Sequence, residues 1–106
     1  MQRLRITFAK RGAARFIGNL DLHRTWERTL RRANAPLAYS QGFHPTPKLQ
    51  LASALPLGIN SEAEVVDIWL REPVRLNDML AAVAAAAPPG IEALDIAAVD
   101  LNEGSL

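Results

Sequence analysis

The residues able to do chemistry in this chain are few and scattered. The two histidines, His23 and His44, have no further ligand at short spacing, and neither an H-x-x-x-H nor an E-x-x-H pattern occurs, so no metal centre is expected. Glu62 and Glu64 stand two apart at the start of an alternating segment, which points both carboxylates to one side of a strand. Such a pair, with His44, could hold acid and base chemistry together; it could equally solvate a strand edge. Ser40 and Ser61 lack the flanking glycines of a nucleophile elbow, and no Walker loop or G-x-G-x-x-G is present. With no cysteine, thiol catalysis, zinc–thiolate sites and iron–sulfur ligation by this chain are excluded. Neither an enzyme nor a cofactor is expected.

The denser signal is basic. Lys10, Arg11, Arg15, Arg24, Arg28, Arg31, Arg32 and Lys48 all fall in the first half. Convergent arginines suit bidentate contact with phosphate, and each phosphate neutralised adds a salt-dependent term to binding. The bland alternative is a solvated helix face with Glu27 paired to Arg31 one turn on. The loop Tyr39-Ser40-Gln41-Gly42-Phe43-His44 adjoins this set, and Tyr39, Phe43 and His44 could stack on bases. Gly42-Phe43 reads first as a turn with a core phenylalanine, since glycine permits φ > 0, and second as a recognition tip. An RNA partner is the expectation from this half.

The charge is unevenly divided. Residues 1–50 hold ten Lys/Arg against Asp21 and Glu27, a net +8; residues 51–106 hold Arg71 and Arg75 against nine acids, a net −7. Either the first half meets an external anion, or the halves attract each other within the fold or in a head-to-tail contact between chains.

These residues need elements to position them. Leu4, Ile6 and Phe8 alternate with Arg3, Arg5 and Thr7, the pattern of a half-buried strand. Leu22, Trp26, Leu30 and Ala33 make one stripe on a helix over about 20–34, with Asn19 as its cap and Pro36 as its stop. Residues 48–52 alternate again, and Pro56-Leu57-Gly58 breaks that strand. Val66, Ile68 and Leu70 share a face of a strand over 64–71. Leu76, Met79, Leu80, Val83 and Ala87 give a second helical stripe ended by Pro88-Pro89-Gly90. A last strand runs from 91 to about 101, with Leu94, Ile96 and Ala98 on one face.

The order is that of an α+β ferredoxin-like βαββαβ sandwich, an antiparallel sheet with two helices on one face. One domain over 1–101 and a frayed tail over 102–106 are expected. The other sheet face would carry Arg3, Arg5, Thr7, Asp67, Trp69, Arg71, Lys48 and Gln50, a basic open sheet with one aromatic. Trp69 there would anchor a protein interface, including a homodimer, or stack on RNA. The 106 residues are 49% hydrophobic and 22% charged, an ordinary globular balance. No run approaches the length of a membrane span and no signal-peptide core leads the chain, so a cytoplasmic domain without membrane contact is expected.

Several stretches carry a family resemblance: Phe8-Ala9-Lys10-Arg11-Gly12, Arg15 to Leu22, Arg28 to Ala33, and Tyr39-Ser40-Gln41-Gly42-Phe43-His44-Pro45. Together they resemble the radical SAM-linked domain of unknown function, whose members are encoded beside, or fused to, radical S-adenosylmethionine proteins. The resemblance implies an accessory that docks to a radical SAM enzyme or presents its substrate, a tRNA or ribosomal RNA in this reading. Without thiolates for a cluster this chain would not itself be the catalyst. The family usually has Ser-His where this chain has Gly18-Asn19.

Overall fold

Alternation in the first ten residues builds the middle of the sheet. The computed structural model describes residues 1–53 and 63–104. Strand β1 (Gln2–Lys10) leads through a 3-10 turn (Gly12–Phe16) to helix α1 (Asn19–Arg32). Strands β2 (Leu49–Ser53) and β3 (Glu64–Leu70), helix α2 (Leu76–Ala86) and strand β4 (Ile91–Val99) follow. The strands form one antiparallel sheet in the order β2-β3-β1-β4, the α+β arrangement expected for a ferredoxin-like chain. Glu62 and Ser61, and the break at 56–58, lie outside the described residues.

Leu4, Ile6, Phe8, Val66, Ile68 and Leu70 are all fully buried and share one core with Leu22, Trp26 and Leu30 of α1 and Met79 and Val83 of α2. Both helices therefore cover the same sheet face. Trp26 fills the centre, its ring edge-on to Phe8 at 4.9 Å between centroids.

Helix α1 departs from the expected bounds at both ends. Gly18, not Asn19, is its N-cap; the backbone there is extended, and its carbonyl accepts from Leu22 N–H at 2.9 Å. At the other end Asn34 turns left-handed at φ 57°, and Ala35 N–H reaches back to Leu30 O at 3.1 Å. That closure stops the helix before Pro36 acts.

Strand β4 carries an irregularity the alternation does not reveal. Thr7 pairs with Asp95 but Phe8 with Ala93, so Leu94 is an extra residue on β4. Of the expected Leu94, Ile96 and Ala98 face, only Ile96 is buried; Leu94 and Ala98 are exposed, while Ile91 and Ala93 turn toward the core instead. Before β4, Gly90 sits at φ 92° against the 3-10 turn, where an added Cβ would come within 2.7 Å of Ala14 Cβ and 2.9 Å of Arg11 O. Only glycine fits this contact, which Arg11 N–H closes to Gly90 O at 2.7 Å.

Candidate functional site

The sheet face away from the helices is not the basic platform the alternation predicts. Cross-strand pairing sets Arg3 opposite Trp69 and Arg5 opposite Asp67. Asp67 Oδ2 accepts from Arg3 Nε at 2.8 Å and Arg5 Nη2 at 3.0 Å, and Oδ1 accepts from Arg5 Nε at 2.8 Å. Arg3 also donates to the carbonyls of Glu103 at 2.6 Å and Gly104 at 3.1 Å. The chain after β4, placed by the sequence in a fraying tail, therefore lies over this face, and Arg3 and Asp67 are 2% and 0% exposed. Hydrogen bonding to Asp67 raises the Arg5 guanidinium above its ordinary value, with burial opposing and the Asp67 and Glu103 charges adding. A raised cation loses its stabilising contribution only as pH climbs through that raised value, so Arg5 titration does not touch stability near neutrality. Trp69 is half-buried, with Arg3 4.8 Å and Lys48 5.9 Å from its ring centre. One of its flanks is thus occupied by a buried arginine.

Two further candidates are paired as well. Lys10 lies 3.2 Å from Glu64, and Arg11 bonds Glu92 at the surface. Every one of these partners comes from the acidic half of the chain.

Helix α1 is different. Arg24, Arg28, Arg31 and Arg32 are exposed, and among the described residues no carboxylate stands within ion-pair distance of any of them. At 3.6 residues per turn the four fall on one stripe opposite Leu22, Trp26 and Leu30. The Glu27–Arg31 pair of the alternative reading does not form: Glu27 Oε1 takes His23 Nδ1 at 2.9 Å, one turn back instead of one turn on. Arg15, also exposed, stands 5.6 Å from the Phe16 ring. Phe16 and Leu20 are 81% and 66% exposed. Nothing in their apolar types marks them as surface residues, and sequence reasoning missed them.

The loop after α1 is built, not slack. Leu37 bridges Leu70 and Tyr39 bridges Pro47. Ser40 N–H donates to Thr46 O at 2.8 Å, and Thr46 N–H donates to Ser40 Oγ at 3.1 Å. Arg71 Nε holds Leu37 O at 3.1 Å; this positioning role was not legible in the sequence. The clasp presents Gln41-Gly42-Phe43-His44 at its tip, with Gly42 at φ 129°. Phe43 is not a core residue: it is 101% exposed, and Tyr39 is 45% exposed. The turn half of the expectation holds, but the ring faces water at the tip of the clasp. His44 is exposed there too, and among the described residues no hydrogen bond or ion pair joins it to Glu64. No group of three or more metal-ligating side chains occurs among the described residues, and no described helix is long and apolar enough to cross a membrane.

No curated protein and no solved structure gives a match to this chain. A family model does, over residues 3–106, and it spans both the arginine helix and the clasped loop: the chain belongs to DUF2344, a family of uncharacterised proteins conserved in bacteria.

Proposed function

We propose that this chain is a non-catalytic binding module that holds an RNA strand. The α1 arginines would take phosphates and the Phe43 loop a base. The observation that carries the proposal is that Arg24, Arg28, Arg31 and Arg32 stand without a carboxylate partner among the described residues, in a fold that matches Arg3, Arg5, Lys10 and Arg11 to carboxylates. An exposed arginine stripe left without counter-charge suits an anion from outside. A phenylalanine presented on a hydrogen-bonded tip suits stacking. From the sequence resemblance, the module serves a radical SAM enzyme, presenting tRNA or ribosomal RNA to it.

The test is fluorescence anisotropy of the full chain against bulk tRNA and against heparin across a salt series. The expected result is preferential tRNA binding that persists near roughly 150 mM salt. Equal binding to both polyanions, lost at moderate salt, would overturn RNA recognition.

A second reading rests on Phe16 and Leu20, exposed apolar side chains at the entry to α1. They would anchor a protein, the radical SAM enzyme or a second copy of this chain. A pull-down with the enzyme and light scattering of Phe16→Ala with Leu20→Ala test this; an unchanged complex and mass would remove it.

A further inference from the structure

Helix α1 is flanked by an exposed aromatic ring on each side in the chain. Phe16 closes the 3-10 turn that leads into it and is 81% exposed. Phe43 stands at the tip of the clasp that follows it and is fully exposed. The sheet separates the two. The turn leaves β1 after Lys10, at the end where Phe8 pairs with Glu64. Leu37, at the base of the clasp, bridges Leu70, which pairs with Gln2 at the other end of β1. The arginine stripe therefore runs from the end that carries Phe16 to the end that carries the clasp.

The stripe also continues toward Phe16. Leu20, Arg24 and Arg28 follow one another at i+4, so Leu20, itself 66% exposed, prolongs the arginine line by one turn. From Leu20 to Arg32 the helix rises about 18 Å at 1.5 Å per residue, the length of about five stacked nucleotides of one strand at 3.4 Å each. The Arg15 guanidinium lies 5.6 Å from the Phe16 ring centre, and among the described residues no carboxylate stands within ion-pair distance of it. A cation on one face of the ring leaves the other face to a base and adds its own attraction to the platform. Two apolar side chains set among arginines make a small patch by the measure of protein-binding surfaces. A basic track interleaved with aromatic rings is what a single nucleic-acid strand uses.

We infer that α1 with its two flanking rings is a track for single-stranded RNA, its phosphates on the arginine stripe, one base on Phe16 beside Arg15 and another on Phe43. A duplex has no such bases to offer, because its rings are stacked on one another and paired. The inference rests on the RNA reading above and deepens it, naming the form of the RNA and adding Arg15, Phe16 and Leu20 to the site.

The test measures binding of the full chain, by fluorescence anisotropy over a salt series, to an oligoadenylate of about twelve nucleotides, within the range one small domain covers. The same strand annealed to oligouridylate is the comparison. The single strand is expected to bind about tenfold more tightly than the duplex. Phe16→Ala should weaken the single strand by about fivefold or more, the worth of one stacked base, and leave the duplex unchanged. The slope of log K against log salt should stay as in the parent, because no phosphate contact is lost. Phe16→Tyr should restore the affinity, and Phe16→Leu, apolar but without an aromatic ring, should not. Urea unfolding at the parent midpoint reports that each variant folds.

A duplex bound as tightly as the single strand, or Phe16→Ala binding like the parent, overturns the track and leaves the RNA reading on the arginines. A chain that binds neither RNA overturns both. Phe16→Leu binding like Phe16→Tyr overturns stacking at this ring. Loss of enzyme capture in Phe16→Ala with RNA affinity unchanged assigns Phe16 to the protein contact and overturns the inference.

Discussion

Arg3, Arg5, Lys10 and Arg11 each face a carboxylate from the second half of the chain, whereas Arg24, Arg28, Arg31 and Arg32 face water. Both sets come from the same basic half. The difference is one of element geometry. A central strand has neighbours on both sides, so its outward side chains sit about 5 Å from those of β3 and β4, where the acids are. A helix packed on a sheet buries one stripe and turns the opposite stripe to solvent, beyond the reach of any other strand. The two readings of the charge asymmetry are thus divided by region: internal pairing holds for β1 and its turn, and an external anion is proposed for α1.

The comparison can be broken hardest at Asp67. Asp67→Ala leaves two arginines, one of them buried, without their carboxylate, and should cost about 3–5 kcal/mol in urea unfolding. A loss under 1 kcal/mol, the scale of an exposed pair, would mean that the β1 cations are no more committed than those of α1.

Phe43→Ala sharpens the other side. Stability should stay within about 0.5 kcal/mol, because the ring buries nothing. Affinity for single-stranded RNA should fall by about 1–3 kcal/mol, the worth of one stacked base. Unchanged RNA affinity would take the loop tip out of the site.

The double variant Arg28→Ala with Arg32→Ala should also leave unfolding within about 0.5 kcal/mol of the parent. Its affinity for RNA should drop about tenfold at low salt, and the slope of log K against log salt should flatten by about 1.4, two phosphates' worth on a single strand. A stability loss like that of Asp67→Ala would show that these arginines have internal partners after all.

The smallest effect belongs to Arg11→Ala. Its pair with Glu92 is exposed on both sides, and such pairs contribute about 0–1 kcal/mol. Calorimetry should register almost nothing, and tRNA affinity should hold, since Arg11 already has a counter-charge. A marked affinity loss would extend the binding surface from α1 to the turn.

Much of this molecule was legible beforehand. The alternation of Leu4, Ile6 and Phe8, and the stripe of Leu22, Trp26 and Leu30, each report a period that only one element satisfies. The stripe also placed Arg24, Arg28, Arg31 and Arg32 on the far side of the helix, where they are. Leu94 was misplaced because a bulge inserts one residue and reverses the alternation, and no residue type announces it. Phe43 was misplaced because apolar character argues for burial, while the Ser40–Thr46 clasp is a pairing between residues whose types allow many others.

The sequence by itself determined the element order, the buried faces and the exposed arginine stripe, since periodicity along a chain is a local property of backbone geometry. Only the tertiary structure decided which charges neutralise each other and what covers the sheet. Those contacts join residues far apart in the chain, as Arg3 and Asp67 are. Coulombic and hydrogen-bonding partners are selected by distance in space, which the fold sets after the local pattern has been satisfied.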